Sequence, residues 1–219
     1  MNALLAKTLF DLSAFQHAAV FDAEGFAWLA LERLEKYLST LKLGVIEADV
    51  HPDATLINPH LISLGKGTVV EAGAYIKGPC VAGKECVFRQ GCYVRGNLLA
   101  GDKCVIGHAS EIKHVIMLNN AQAPHFNYVG DSILGHRVNL GAGSVLANLR
   151  FDKKDIIIHN QGQRIATGLH KFGAILGDDA QTGCNSVTNP GTIFGKKACC
   201  RPTANVGGII PPDTCVHKS

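Results

Sequence analysis

The sequence has 219 residues, of which 24 are glycine, 47% are hydrophobic, 18% are charged and 6% are aromatic. The glycines follow no three-residue period, which excludes a collagen, and the apolar fraction is too high for a disordered chain. A net charge of +3 does not indicate a nucleic-acid-binding surface, and no apolar run approaches the roughly 18 residues of a membrane-spanning helix. We therefore expect a folded protein without a nucleic-acid or membrane partner. Because no secretory signal is recognisable, we expect it in the cytoplasm.

Residues 1–45 predict an N-terminal arm followed by one helix. Apolar residues recur at helical spacing between residues 22 and 41, with Asp22 as the candidate N-cap. Residues 9–21 are apolar without a clear period, so we expect an irregular arm that docks on the rest of the chain.

A six-residue repeat replaces the helical pattern in the second predicted unit, residues 46–219. An aliphatic residue opens most repeats, and small or turn-forming residues follow it. Six residues suffice for a short strand and a turn, three repeats make one triangular coil, and stacked coils bury a continuous apolar column. About seven or eight coils fit the repeat count. The repeats start at Leu64, Val70, Ile76, Val81, Val87, Tyr93, Leu99, Val105, Leu134, Leu140, Leu146, Leu176, Thr182, Thr188, Phe194, Cys200 and Val206.

Two segments, residues 118–128 and 149–175, interrupt the repeat. Both are rich in polar residues that break the six-residue spacing. Insertions into a solenoid usually form loops, and such loops often carry the binding site. We therefore expect loop insertions at both places and look for the chemistry near them.

The eight cysteines contain no Cys-x-x-Cys pair, so their spacing does not indicate a zinc site. Without a secretory signal, a disulfide framework is not expected either. The cysteines are predicted to be small packing residues inside the repeat, and no structural metal is expected.

Charge is concentrated in one part of the chain. Between Arg95 and Lys171 there are nine Lys or Arg residues against five Asp or Glu residues, a local charge of +4. A basic region beside loops suits an anionic small molecule, such as a sugar phosphate or a coenzyme that carries phosphates.

The stretch HFNYVGDSILGHRVNLGAGSVLANLRFD, residues 125–152, resembles part of a known family of hexapeptide-repeat acyltransferases. It looks like the acetyltransferase domain of the bifunctional UDP-N-acetylglucosamine pyrophosphorylase/glucosamine-1-phosphate N-acetyltransferases. Its NLRFD ending is closest to the archaeal-type amino-sugar-1-phosphate acetyltransferases. The resemblance covers residues 64–212 and is strongest over 95–154. It implies a mainly β fold, a left-handed parallel β-helix of hexapeptide repeats, here with a short N-terminal helical segment.

The resemblance also implies an activity, an assembly and a set of site residues. The activity is acetyl-CoA-dependent N-acetylation of a hexosamine 1-phosphate, with glucosamine 1-phosphate first and galactosamine 1-phosphate also possible. The assembly is a homotrimer with its pocket between neighbouring subunits. His125 matches the general base that takes a proton from the sugar amine, and the turn at 141–143 is expected to offer N–H groups to the oxyanion. The implied substrate-binding residues are Arg95, Lys113, Tyr128, Asn139, Asn148 and Lys154, and the implied coenzyme-binding residues are Ala142, Cys184 and Pro202.

The sequence departs from the family pattern in several places. The insertion at 155–175 is longer, and Cys184 stands where the family often has a serine. Basic residues that could take over from the family's C-terminal tail are Lys196, Lys197 and Arg201. No glycine-rich nucleotide loop is recognisable, so nucleotidyl transfer is not expected.

The same repeat class includes proteins with three other functions. A zinc-dependent carbonic anhydrase of the same repeat class is disfavoured, because its spacing of two histidines five residues apart does not occur here. A non-catalytic β-helix scaffold or regulatory subunit stays open, as does an acyltransferase for another amino sugar.

Overall fold

A computed structural model describes residues 2–217 as a parallel β-helix with helical turns at its N-terminal end. Short strands stack in parallel register on three faces, which we call the first, second and third face. The predicted fold class, a mainly β parallel β-helix, is confirmed. The first face contains Asp49–Val50, Val69–Val70, Val87–Phe88, Val105–His108, Gln122–His125, Asn139–Leu140, Gln181–Thr182, Cys199–Cys200 and Cys215–Val216. The second contains Thr55–Ile57, Tyr75–Lys77, Tyr93–Val94, the first parts of Glu111–Met117 and Tyr128–Leu134, Val145–Leu146, Val187–Thr188 and Asn205–Val206. The third contains Ile62–Leu64, Cys80–Ala82, Leu98–Ala100, the last parts of the same two long strands, Ala174–Leu176, Thr192–Phe194 and Ile209–Ile210.

The first face has nine strands in the described chain, compared with the seven or eight coils predicted. One additional coil comes from residues 118–128, where the strand Gln122–His125 pairs with the strands of the preceding and following coils. The prediction of a loop insertion there was wrong. Ala121 and Ala123 are fully buried, so small residues take the inward positions that aliphatic residues occupy in other coils.

Residues 149–175 leave the solenoid at the corner between the second and third faces. They form an antiparallel hairpin of Ile157–Asn160 with Gln163–Ala166 before the chain returns to the third face at Ala174–Leu176. Ile158 belongs to the same buried cluster as the N-terminal segment. This excursion therefore lies where the arm, the helix and the solenoid meet.

Close stacking of coils explains part of the high glycine content. A Cβ atom on Gly177 would lie 2.9 Å from the backbone nitrogen of Lys196, and one on Gly195 would lie 2.5 Å from that of Pro212. Real Cβ atoms do not approach backbone this closely, so only glycine fits between consecutive coils at this corner.

The cysteines divide into packing residues and one bonded pair. Cys199 and Cys215 face each other in register on consecutive strands of the first face and form a disulfide. This pair corrects the expectation of packing alone, since strand register, which brings the two sulfurs together, is not visible in cysteine spacing. Cys184 is exposed. The buried free cysteines are Cys80, Cys86, Cys92, Cys104 and Cys200.

The helix is shorter than predicted, covering Leu29–Thr40 rather than residues 22–41. Phe26 forms an antiparallel bridge with Leu5, and the Asp22 carboxylate accepts a hydrogen bond from a nearby backbone N–H in a turn. Pairing with the N-terminal arm therefore holds the first predicted turns outside the helix. Shorter helical turns cover Asn2–Leu4, Ala6–Leu9, Leu12–Ala14, Ala18–Val20 and Pro59–Leu61. Within residues 2–217, no helix has the length and apolar character needed to cross a membrane.

The N-terminal arm and helix cover the third face of the solenoid. Trp28 and Leu34 are buried in a cluster with Leu99 and Ile116 of that face. Each fully buried side chain of this size stabilises the docked state by about 1.5–3 kcal/mol relative to exposure. The helix is thereby fixed beside the corner where the second and third faces meet.

A buried carboxylate anchors the arm. Asp178 is 3% exposed, and its carboxylate accepts hydrogen bonds from the backbone N–H groups of Asp11 at 2.7 Å and His136 at 2.8 Å. The His136 ring in turn donates from Nε2 to the Asp11 carbonyl at 2.9 Å. One side chain thus joins the arm to the solenoid.

Replacing Asp178 with alanine is expected to reduce the free energy of unfolding by about 3 kcal/mol, because the buried N–H group of His136 and the partly buried N–H group of Asp11 lose their acceptor. The loss is measured by urea or thermal unfolding. Asp49→Ala removes an exposed carboxylate from a strand and should change stability by less than about 0.5 kcal/mol. Equal stability of the two variants would contradict the anchoring role.

Candidate active site

Three predicted substrate residues lie together around a carboxylate that the sequence reasoning missed. Asp131 is 6% exposed and accepts hydrogen bonds from Lys113 Nζ at 2.8 and 3.0 Å. Asn148 Nδ2 donates to the same carboxylate at 2.5 Å. Hydrogen bonds between charged groups are about twice as strong as neutral ones, so this arrangement fixes both side chains at the corner of the second and third faces.

Tyr128 completes this group from the second face. A Cβ atom on Gly130 would lie 2.6 Å from Asn148 Nδ2 and 2.7 Å from the Tyr128 hydroxyl, so both side chains fold over a position that only glycine leaves free. Burial is the main cause that raises the pKa of Tyr128, and the negative charges of Glu111 and Asp131 add to it. The phenol therefore stays protonated and can donate a hydrogen bond to a ligand.

Gly130→Ala is expected to displace Tyr128 and Asn148 and to weaken binding of a ligand at this corner by about tenfold, the equivalent of one lost hydrogen bond of about 1.4 kcal/mol. Isothermal titration with an amino-sugar phosphate measures the change. Gly207→Ala serves as the control, because the closest atom to its new Cβ is the end of a flexible side chain, at 3.1 Å. Unchanged affinity in the Gly130 variant would show that these two side chains do not contact the ligand.

Arg95 lies one coil below Lys113 on the same face. Its guanidinium donates to Glu111 Oε1 at 2.8 Å, and this hydrogen bond raises the pKa of Arg95. Arg95 and Lys113 line a cavity of about 240 Å³ at the corner, together with Glu35 of the N-terminal helix. The two predicted phosphate ligands are therefore in one concave site.

His114 joins this corner to the helix. Its Nε2 donates to the Leu31 carbonyl at 2.9 Å, and Asn97 Nδ2 donates to its Nδ1 at 3.3 Å. Both contacts agree with one tautomer, in which Nε2 carries the hydrogen. The wall of the cavity is thus fixed by a hydrogen bond between solenoid and helix.

His125 lies at the other edge of the second face, at the corner with the first face. It ends the strand Gln122–His125 and is exposed. Tyr128 is only three positions further along the chain, so the Cα atoms of the two residues are at most about 10 Å apart. The predicted base and the predicted sugar ligands thus flank one narrow face of one coil.

Asn127, which the sequence reasoning did not single out, holds the His125 corner in place. It is 3% exposed; its Oδ1 accepts from the His125 backbone N–H at 3.1 Å and its Nδ2 donates to the Gly141 carbonyl at 2.8 Å. The histidine is thereby tied to the turn of the following coil.

The predicted coenzyme residues form a column with His125 at this corner. Backbone hydrogen bonds link the turns of successive coils: Gly143 N–H to the His125 carbonyl at 3.0 Å, and Asn185 N–H to the Ala142 carbonyl at 2.8 Å. The next link runs from Thr203 N–H to the Cys184 carbonyl at 2.8 Å, beside Pro202. A long ligand lying along the solenoid axis would contact all of these turns.

The turn at 141–143 offers fewer free donors than predicted. Gly141 N–H donates to the Thr182 carbonyl at 2.9 Å, and Gly143 N–H donates to the His125 carbonyl. Within residues 2–217, the Ala142 N–H makes no hydrogen bond. It is therefore the one N–H group of residues 141–143 that is free to donate to a ligand.

Two predicted substrate residues are not in the Lys113 group. Asn139 lies on the first face, in register with Gln122 and Gln181. Lys154 is exposed on the excursion, and its backbone N–H donates to the Asp152 carboxylate at 3.2 Å. The family resemblance implied both residues for the site, and the periodicity of the sequence could not assign the face of Asn139 or the path of the insertion that carries Lys154.

The excursion borders a second concavity, of about 600 Å³, on the second face. Arg150 and Asp152, which both line it, form an ion pair at 2.7 Å, and the hydrogen bond from Arg150 lowers the pKa of Asp152. Phe151 between them is fully exposed, and Val187 across the concavity is 38% exposed. This apolar rim continues the face that carries Tyr128.

Among residues 2–217, no group of three or more His, Cys, Asp and Glu side chains is arranged to hold a metal ion.

Comparisons with known proteins agree with the resemblance predicted from the sequence. The chain is 41% identical over 101 residues to a bifunctional sugar-1-phosphate nucleotidylyltransferase/acetyltransferase of Sulfurisphaera tokodaii, a match that covers 46% of this chain and 25% of the relative. It is 34% identical over 113 residues to the bifunctional protein GlmU of Methanococcus aeolicus, covering 52% of this chain and 27% of the relative. The chain thus spans about a quarter of the length of these relatives. No protein-family model matches it.

Solved structures add a weaker likeness. The acetyltransferase domain of PglB from Neisseria gonorrhoeae is 15% identical, with a TM-score of 0.39, over 86% of this chain and 62% of the other. An Arabidopsis UDP-N-acetylglucosamine acyltransferase is 16% identical, with a TM-score of 0.32, over 78% of this chain and 69% of the other. We draw no functional conclusion from these two structures.

Proposed function

We propose that the protein is a cytoplasmic, acetyl-CoA-dependent N-acetyltransferase that acts on a hexosamine 1-phosphate. Glucosamine 1-phosphate is the first choice of substrate, and galactosamine 1-phosphate the second. The observation that carries the proposal is the pairing of two groups across the second face. Lys113 and Tyr128 belong to a polar group on one side, and His125 stands at the opposite corner, at most about 10 Å along the chain from Tyr128.

In this proposal, the phosphate binds to Arg95 and Lys113, and the sugar ring lies against Tyr128 and Asn148. Both cations already line one cavity. Holding the anionic end of the substrate orients its amine toward the His125 corner, and orientation of this kind lowers the barrier of a bimolecular reaction. The family resemblance supports the same assignment.

The reaction then needs a base and an oxyanion donor. An ammonium has no lone pair, so the substrate nitrogen first loses one proton to solvent. As the neutral amine attacks the thioester carbonyl of acetyl-CoA, His125 takes a second proton from this nitrogen. The carbonyl oxygen becomes an oxyanion, to which the free Ala142 N–H is directed in this proposal. The C–S bond breaks, the amide forms, and the coenzyme leaves as its thiol after its thiolate takes up the proton that His125 holds.

The coenzyme is assigned to the column of turns above His125. Cys184 and Pro202 are exposed on successive coils there, so a chain-like molecule can lie along the corner with its thioester at Ala142. The names of the relatives, which include acetyltransferase, support an acetyl donor.

The test is release of coenzyme thiol from acetyl-CoA with a panel of acceptors. We expect turnover with glucosamine 1-phosphate or galactosamine 1-phosphate, and much less with free glucosamine, which lacks the phosphate. Turnover only with a different amino sugar would contradict the assigned substrate and make that amino sugar the acceptor. Absence of turnover with every amino sugar would contradict the enzyme and favour a non-catalytic scaffold or regulatory subunit.

We also propose a homotrimer with the site between subunits. The exposed Phe151 of the excursion and Val187 of the second face support it, because large apolar side chains at such a rim commonly contact another chain. Light scattering after size-exclusion chromatography should give three times the mass of the chain. A monomer that turns over normally would contradict the proposal.

A further inference from the structure

The cation row of the candidate site extends beyond the two residues that the family resemblance supplies. Lys77, Arg95 and Lys113 follow one another at intervals of 18 residues, which is one coil of the solenoid. All three line the same cavity of about 240 Å³ at the corner of the second and third faces. Adjacent strands are about 4.8 Å apart, so the row extends roughly 10 Å along the axis.

Lys77 differs from the other two cations in its partners. Arg95 is paired with Glu111 at 2.8 Å, and Lys113 with Asp131 at 2.8 Å. Within residues 2–217, no acidic group lies within ion-pair distance of Lys77. Lys77 can therefore bind an anion without giving up an existing ion pair, which makes it the most available charge in the cavity.

Two exposed tyrosines stand beside this end of the row. Tyr75 and Lys77 lie on the same outward side of one strand, with buried Ile76 between them. Tyr75 is in register with Tyr93 of the next coil, and their rings meet edge to face with centroids 5.3 Å apart. Their exposures are 37% and 42%, so one side of the pair is free to contact a planar ring.

The order of these groups along the axis matches one class of molecule. Starting from Tyr128, where the proposed function places the sugar, the row passes Lys113 and Arg95 and ends at Lys77 beside Tyr75. A sugar, two phosphates and an aromatic base follow one another in the same order in a nucleoside-diphosphate sugar. A hexosamine 1-phosphate would leave Lys77 and the tyrosine pair without a ligand.

We propose that Lys77, Tyr75 and Tyr93 form a second subsite, which binds the distal phosphate and the base of a nucleoside-diphosphate-linked amino sugar. The subsite rests on the proposed function and extends its substrate class from the sugar 1-phosphate to the nucleotide-linked form. Lys77 binds the phosphate next to the nucleoside, and the tyrosines contact the base.

The experiment is isothermal titration of the full chain with uridine 5′-diphosphate and, separately, with glucosamine 1-phosphate. In Lys77→Met, we expect affinity for the diphosphate to fall about tenfold or more, as for loss of one charge-assisted hydrogen bond, while affinity for the sugar phosphate changes less than about twofold. Lys66→Met is the matched control, because Lys66 is an exposed lysine of the same coil at another corner. Thermal unfolding checks that both variants remain folded.

The subsite is contradicted if wild type does not bind the diphosphate, if Lys77→Met leaves its affinity unchanged, or if that variant weakens both ligands equally. Tyr75→Leu tests the base: it should weaken uridine 5′-diphosphate but not inorganic pyrophosphate. Equal effects on these two probes, or a change in oligomeric mass with no change in affinity, would contradict the tyrosine contact.

An acetyl-transfer assay distinguishes failure of the proposed subsite from failure of the proposed acetyltransferase function, on which the subsite rests. Diphosphate binding that depends on Lys77, without turnover on any amino sugar, would support the subsite and contradict the enzyme. Turnover on glucosamine 1-phosphate without diphosphate binding would contradict only the subsite.

Discussion

Replacing His125 with alanine is expected to lower the turnover number for acetyl transfer by about 10²- to 10⁴-fold, the usual contribution of a general base. The imidazole is exposed at its corner, and its backbone is held by Asn127, so the variant should fold normally. Since His125 acts on the amine and not on the phosphate, KM for the sugar phosphate should change less than about twofold.

The control for this experiment is His159→Ala, which removes an exposed histidine from the hairpin of the excursion. Steady-state thiol release from acetyl-CoA should distinguish the two variants clearly. If His125→Ala and His159→Ala turn over at the same rate, His125 is not the general base. The proposal that the protein is an acetyltransferase would still stand.

Replacing Lys113 with methionine is expected to reduce both stability and substrate affinity. The change removes a proposed phosphate ligand and leaves the Asp131 carboxylate, which is 6% exposed, without its cation. Breaking a buried pair from one side costs about 3–5 kcal/mol, and the partial exposure of Lys113 places the expected loss near the lower end of that range. Affinity for the sugar phosphate should fall about tenfold or more.

The double variant Lys113→Met with Asp131→Asn separates these two effects. Asparagine removes the unpaired charge and is tolerated at the backbone φ of 47° that residue 131 adopts. Most of the stability should return in thermal unfolding, while affinity for the sugar phosphate should stay low. Recovery of affinity together with stability would show that Lys113 acts on folding and not on the ligand.

The fold could be predicted from the sequence because a six-residue repeat depends on few variables. Inward aliphatic and small residues at fixed spacing define a coil, and coils can stack only through parallel pairing. The errors occurred where this spacing is hidden. At 118–128, alanines occupy inward positions, and at residues 22–28, pairing with the N-terminal arm prevents a helix that local sequence favours.

The residues of the candidate site could be predicted better than the contacts between them. Spacing and resemblance together pointed to Lys113 and Asn148, but not to the carboxylate between them. A signal was present: Asp131 follows Lys113 by 18 residues, about one coil of the solenoid. Lys113 is in register with Gly130, and the Asp131 carboxylate reaches it from the next position. The same interval connects Lys77 to Arg95. Cross-coil ion pairs are visible only once residues are compared coil by coil rather than along the chain.

Asn139 and Lys154 illustrate what spacing alone cannot determine. Asn139 lies on the first face, because the short strand Asn139–Leu140 pairs there. Asn148 comes after the next strand, Val145–Leu146 of the second face, and therefore reaches Asp131. Lys154 follows the chain into an excursion whose path depends on packing against the N-terminal segment. Their roles in substrate binding stay predictions from the family resemblance.

A crystal structure of the protein with coenzyme A and N-acetylglucosamine 1-phosphate is the most direct test of the site. We expect the phosphate within hydrogen-bond distance of Arg95 and Lys113, the sugar ring against Tyr128, and the acetamide nitrogen facing His125. The coenzyme should follow the column of turns from Ala142 toward Pro202. A phosphate bound away from Arg95 and Lys113, or an acetamide on the far side of the solenoid from His125, would contradict the assignment.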